Sequence, residues 1–110
     1  MKQKICTIEE LNQTSCKEFK VKINKNEKDA FLISFKHQYH AYLNSCPHTG
    51  VKLNWQDEQF FNYEGDLIQC SLHGALFNPV DGKCVYGPCL GQNLEALTVI
   101  VEDNIVYLSQ

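Results

Sequence analysis

Arginine is missing from this chain: all ten of its basic side chains are lysine. The planar guanidinium fork is what reads phosphates and base edges through paired hydrogen bonds, so its absence argues against nucleic acid as a partner. No apolar run approaches the roughly 20 residues that a membrane span needs, which argues against a membrane protein. Residues 1–10 hold lysines but no apolar stretch of about 7–15 residues and no small-residue cleavage site. No secretory signal is therefore visible, and the expected compartment is the cytoplasm. A dinucleotide glycine fingerprint is lacking, as is a triad of two histidines and a carboxylate. The chain is accordingly expected to have no small-molecule substrate of its own. Helical periodicity is weak throughout, and there is no internal repeat or low-complexity tract.

A chain of 110 residues has room for one compact domain, 1–110, that buries about two-thirds of its unfolded surface. Hydrophobic residues make up 44% and aromatics 11%, enough for an ordinary core. Six cysteines in so short a chain could form a disulfide framework, but without an export signal a reducing compartment favours metal binding or free thiols. Charge is uneven about a net −3: residues 17–36 carry six lysines against three acids, whereas residues 53–82 carry Asp57, Glu58, Glu64, Asp66 and Asp81 and no lysine. Such an acidic run is a solvated loop face or a docking face that steers toward a basic partner.

Period-two patterning dominates. Residues 1–16, with Ile5, Ile8 and Leu11, are expected to give a short strand and a turn. Phe19, Val21 and Ile23 alternate with Lys20 and Lys22 as a half-buried strand, and the polar run from Asn24 to Asp29 reads as a loop. Ala30 to Phe35 and Gln38 to Leu43, separated by Lys36-His37, read as a hairpin. Val51 to Trp55 and Phe60 to Tyr63 are apolar enough to pack, and Leu67 to Cys70 is a strand. Ala75 to Asn78 and Lys83 to Tyr86 flank an Asp81-Gly82 turn, Gly87-Pro88 turns the chain again, and Leu97 to Glu102 pairs with Ile105 to Leu108 across Asp103-Asn104. The fold class is all-β.

The chemistry is concentrated in two short arms. Cys46-Pro47-His48-Thr49-Gly50 is a Cys-x-His arm and Cys70-Ser71-Leu72-His73-Gly74 a Cys-x-x-His arm, with 21 residues between His48 and Cys70. Each offers one thiolate and one imidazole. A mononuclear site has no need to divide its ligands this way, but a two-iron, two-sulfide cluster does when one iron takes both sulfurs and the other both nitrogens. Gly50 and Gly74, lacking Cβ atoms, let backbone N–H groups approach such a core, and Pro47 stiffens the first arm. Tetrahedral zinc could use the same four side chains, although a one-residue Cys-x-His gap is atypical of zinc knuckles. His37 and His40, in the hairpin before the first arm, read as strand-face residues. Cys84 and Cys89 read as buried thiols, with a redox pair as the alternative, and Trp55, Phe60 and Phe61 as core cover.

These arms, with the stretch from about Tyr39 through Phe77 and Asp81-Gly82 to the Gly87-Pro88 turn and Leu94, resemble the Rieske-type ferredoxin family over roughly half of the chain. The resemblance implies an antiparallel β-sandwich or barrel of Rieske type, with a cluster-binding subdomain of two loops at about residues 44–78. It implies one [2Fe–2S] cluster, with Cys46 and Cys70 on one iron and His48 and His73 on the other, and with Pro47, Gly50, Gly74 and Phe77 around them. The function so implied is soluble one-electron transfer from a reductase to an oxygenase or similar terminal enzyme, without turnover by the chain alone. A small non-catalytic subunit of a larger oxidoreductase, such as a nitrite reductase, is the second reading, and a zinc-stabilised interaction module the third.

Two departures select a branch. High-potential members carry an extra cysteine in each loop, joined as a disulfide, where this chain has Val51 and Leu72. They also carry Ser and Tyr hydroxyls toward the cluster, where this chain has Ala75 and Phe77. Fewer donors leave the reduced, more negative cluster less stabilised. A redox titration at pH 7 is expected to place the midpoint toward the lower end of the roughly −150 to +300 mV that such centres span; a midpoint well above about 0 mV would contradict the assignment to this branch.

Overall fold

The computed structural model describes residues 2–45, 53, 60–62, 65–70, 74–87 and 89–109. Its strands are β1 (Lys2–Thr7), β2 (Cys16–Ile23), β3 (Asn26–Phe35), β4 (Gln38–Leu43), β5 (Ile68–Gln69), β6 (Leu76–Phe77), β7 (Cys84–Tyr86), β8 (Ala96–Leu97), β9 (Val99–Glu102) and β10 (Ile105–Ser109), with one helix, α1 (Ile8–Thr14), after β1. They form three antiparallel sheets, ordered β1-β10-β9, β2-β3-β4-β8 and β5-β6-β7.

The four-stranded sheet is the middle layer, and β3 shows why. Ala30, Phe31, Leu32 and Ile33 are all fully buried, a continuous run that only a strand covered on both faces tolerates. Successive side chains point to opposite faces. Ala30 and Leu32 accordingly pack, with Ala41 and Leu43 of β4, toward Cys6, Val106 and Leu108 of the β1-β10-β9 sheet. Phe31 and Ile33 pack with Tyr42 toward Ile68, Cys70, Ala75, Phe77 and Cys84 of the β5-β6-β7 region. β2 is an edge of this sheet and carries Lys17, Lys20 and Lys22. Edge lysines discourage pairing with another chain, so much of the lysine excess serves the sheet itself.

Three hairpins close through two-residue turns with positive φ at both positions: Asn24-Lys25, Lys36-His37 and Asp103-Asn104. This geometry matches the right-handed twist of the flanking strands. Two of these turns coincide with the expected ones. The third corrects the reading of Asn24 to Asp29 as a loop, because β3 already begins at Asn26, and its first residues are exposed but paired with β2.

Two further expectations are corrected. The turn expected after the first strand is instead the helix α1, held by a capping box: the Glu10 N–H donates to the Thr7 hydroxyl at 3.1 Å and the Thr7 N–H to the Glu10 carboxylate at 3.2 Å. Ser15 ends it in the left-handed conformation, φ 66. The stretch Leu97 to Glu102 is not one strand. It breaks at Thr98, so that β8 pairs with β4 and β9 with β10, and the chain changes sheet there. No helix among the described residues is long and apolar enough to cross a membrane.

Tyr42 ties the middle sheet to the third. Only 1% exposed, it donates its hydroxyl to the Pro79 carbonyl at 2.7 Å. The turn lies so close that a Cβ on Gly82 would sit 2.8 Å from the Tyr42 ring. Burial, with the Asp81 carboxylate acting in the same direction, pushes the phenol up to about 12. The folded state thus holds a proton that the unfolded chain releases near pH 10, so the stability this contributes is intact below that pH and is lost as pH rises toward 12. Tyr42→Phe should lose about 1–2 kcal/mol at neutral pH and flatten the alkaline decline, both measurable by urea unfolding at a series of pH values.

Candidate metal centre

The second arm grows out of the β5-β6 hairpin. Ile68 pairs with Phe77 and Gln69 with Leu76, and the same register carries Cys70 opposite Ala75, whose carbonyl accepts the Cys70 N–H at 2.8 Å. The Gly74 N–H then donates to the Cys70 carbonyl at 2.8 Å, so main-chain groups join the described ends of the turn. Gly74 has φ +69, and among the described residues nothing lies within 4 Å of the position its Cβ would occupy. Cys70 is fully buried among Ile68, Ala75 and Phe77, which keep its side chain from water.

The first arm leaves the end of β4. Leu43 donates to the Glu95 carbonyl and Asn44 to that of Asp29, both at 2.9 Å, so the departure point is fixed to the middle sheet. At the far side Leu53 is fully buried, and its N–H donates to the Asn44 side-chain oxygen at 2.8 Å. The chain then runs into Phe60, whose ring stacks on Phe31 at 4.1 Å between centroids and whose carbonyl accepts the Gln69 N–H at 2.8 Å. The described boundaries of both arms thus share one core.

Of the four expected ligands, Cys70 is placed at this base. Cys46, His48 and His73 lie outside the described residues, as do Pro47, Gly50 and Trp55. Gly74, expected to let backbone N–H groups approach the cluster, has a positive φ that glycine adopts freely, and its own N–H is given to the Cys70 carbonyl. Phe77 is fully buried and brings an apolar ring, without a hydroxyl, beneath the Cys70 turn. Phe60 is core cover as expected, with Phe61 partly buried beside it.

The other candidates divide cleanly. His37 is exposed in its turn. His40 is half-buried, its Nε2 has no hydrogen-bond partner among the described residues, and burial holds its pKa below the ordinary histidine value. Cys84 and Cys89 are buried in the core, and the Cys84 thiol donates to the Tyr86 carbonyl at 3.3 Å. Among the described residues no group of three or more His, Cys, Asp or Glu stands ready to hold a metal, so these cysteines form no rival centre there. One residue escaped the sequence reading: Asn44, whose partner Leu53 lies nine positions away. Gly87, in the expected Gly87-Pro88 turn, has φ +105, and a Cβ there would lie 2.8 Å from the Ala75 Cα, which is why the turn after β7 needs glycine.

The donor set expected of the two arms, two thiols and two imidazoles, is of the chemical kind that a two-iron, two-sulfide group takes. Comparison with known proteins gives the same direction. The family model for the Rieske [2Fe-2S] domain matches residues 1–102. The ferredoxin of carbazole 1,9a-dioxygenase from Nocardioides aromaticivorans IC177 superposes with a TM-score of 0.74 at 18% identity, covering 99% of this chain and 97% of its own. The Sphingomonas yanoikuyae B1 ferredoxin gives 0.72 at 21%, covering 100% and 99%. A complex of reduced oxygenase and oxidised ferredoxin in carbazole 1,9a-dioxygenase contains a chain that matches at 0.74 and 22%, covering 98% of this chain and 92% of that one. At these identities the structural likeness speaks to the fold. No curated protein matches the sequence.

Gly87→Ala is expected to cost about 1–3 kcal/mol, because the new methyl meets Ala75 backbone and the φ is unfavourable for any other residue. Thermal melting of wild type and variant checks this, and an unchanged melting temperature would show that the turn can shift freely.

Proposed function

The chain belongs to the Rieske [2Fe–2S] domain family, and on that premise we propose that it is a one-electron carrier serving an oxygenase or similar terminal enzyme. The family's cofactor is a [2Fe–2S] cluster, which supplies reversible one-electron transfer when bound. In this reading Cys46 and Cys70 bind one iron and His48 and His73 the other, with Pro47, Gly50, Gly74 and Phe77 shaping the surroundings, in a single domain of residues 1–110 whose cluster-binding part is about residues 44–78. The observation that carries it is the second arm: a buried cysteine at a strand end, in a turn whose described main-chain groups bond Cys70 to Gly74 and Ala75.

The protein's own residues set the electron's cost. Two neutral imidazoles in place of two thiolates leave the core and its ligands with less negative charge, so that adding an electron is easier than in an all-cysteine site. Burial of Cys70 excludes water from one sulfur. Ala75 and Phe77 withhold the hydroxyls that would stabilise the reduced state further, which suits a carrier that must give its electron away.

A protein partner is supported by the surface beside this arm. Tyr86 and Leu90 are 66% and 67% exposed, at the two ends of the turn whose Gly87 abuts Ala75. Exposed apolar side chains beside a redox centre suit transient contact between proteins. The structural relatives include a complex of reduced oxygenase and oxidised ferredoxin, and by analogy the partners here are a reductase as donor and an oxygenase as acceptor. The compartment that fits is the cytoplasm, where reduced thiols persist.

Anaerobic reconstitution with iron and sulfide should give a red-brown protein with about two irons and two sulfides per chain and an EPR signal on one-electron reduction. Cys70→Ser and His73→Ala should each abolish most of the signal. A colourless, EPR-silent protein that retains stoichiometric zinc would overturn the reading.

A further inference from the structure

We infer that Asn44 is the positioning residue of the first arm: its side-chain carbonyl accepts the Leu53 N–H and so ties the two ends of the segment bearing Cys46 and His48. This rests on the cluster reading above and adds to it a residue outside the ligand set.

Asn44 is the buried polar side chain of the described core, 5% exposed, and it is anchored from both directions. Its own N–H donates to the Asp29 carbonyl at 2.9 Å, which fixes its backbone to β3. Its Oδ1 receives the Leu53 N–H at 2.8 Å in a buried bond, and the Leu53 side chain is fully buried in the core shared with Tyr42, Phe60 and Cys70. Because the group facing Asn44 is a donor, the atom that meets it must be the amide oxygen, not the nitrogen. Residues 45–52 therefore start and end at one hydrogen bond.

The two arms differ in how they are closed. The second is closed by Cys70, Gly74 and Ala75 through backbone groups, which a change of side chain does not remove. The described closure of the first depends on a side chain that only a few residue types can replace. Partners outside the ligand set that orient ligands typically govern metal retention by about 10–100-fold.

The test uses the reconstituted holoprotein and reads iron release to bathophenanthroline disulfonate together with the EPR line shape after reduction. Asn44→Leu, similar in shape but without the acceptor, should release iron about tenfold faster and show a broadened signal, as expected of a ligand segment that samples more than one arrangement. Asn44→Asp keeps the acceptor and should restore the line shape, with release within about threefold of wild type, a rescue that loss of packing alone would not give. Should Asn44→Leu fail to fold, Asn44→Ala carries the same expectation. Wild-type release and line shape in Asn44→Leu or Asn44→Ala, or an Asn44→Asp protein as impaired as these, would overturn the role of Asn44. Failure of the wild-type protein to take up iron and sulfide would instead overturn the cluster reading on which it rests.

Discussion

Burial of β3 on both faces is the constraint from which the rest of the molecule follows. Ala30 and Leu32 bind the middle sheet to the terminal strands, and Phe31 and Ile33 bind it to the region that carries the arms. Each buried large side chain contributes about 1.5–3 kcal/mol, and the stacked Phe31–Phe60 pair about 0.5–1.5 kcal/mol beyond its area. A single buried hydrogen bond such as that of Asn44 contributes about 1 kcal/mol. The core therefore decides that the base of both arms exists, and the hydrogen bonds decide where each arm begins and ends. A rigid base matters for electron transfer because reorganisation on gaining an electron is small only when the ligands cannot drift.

Charge follows the same division of labour. Lysines gather on β2, at the edge of the middle sheet, where they protect an exposed strand. Residues 53–82 carry five acids and no lysine, with Lys52 standing just before them. In the proposed reading, Ala75 and Phe77 in place of hydroxyl donors leave the reduced cluster less stabilised, in keeping with a carrier placed ahead of a terminal enzyme.

The family was legible because its two arms carry fixed residue types at short spacing, and no packing context is needed to see them. The hairpins at Lys36-His37 and Asp103-Asn104 were legible because alternating strands flank two residues. The helix α1 was missed because seven residues with one buried side chain, Leu11, leave almost no periodicity, although the pair Thr7 and Glu10 was a readable cap. The early start of β3 was hidden by polar residues, since ladder hydrogen bonds hold exposed side chains as well as apolar ones. The switch at Thr98 is invisible in a run of apolar residues that looks continuous and becomes apparent only when two sheets compete for it. Asn44 acts across nine positions of sequence, a distance over which local reading has no purchase.

The central claim is that two histidine nitrogens and two cysteine sulfurs, delivered in mixed pairs, share one diiron core. Electron–nuclear double resonance on the reduced protein grown with nitrogen-15 histidine tests it most directly. The account predicts two strongly coupled histidine nitrogens, falling to one in His48→Cys or His73→Cys. A reduced cluster with no strongly coupled histidine nitrogen would contradict it.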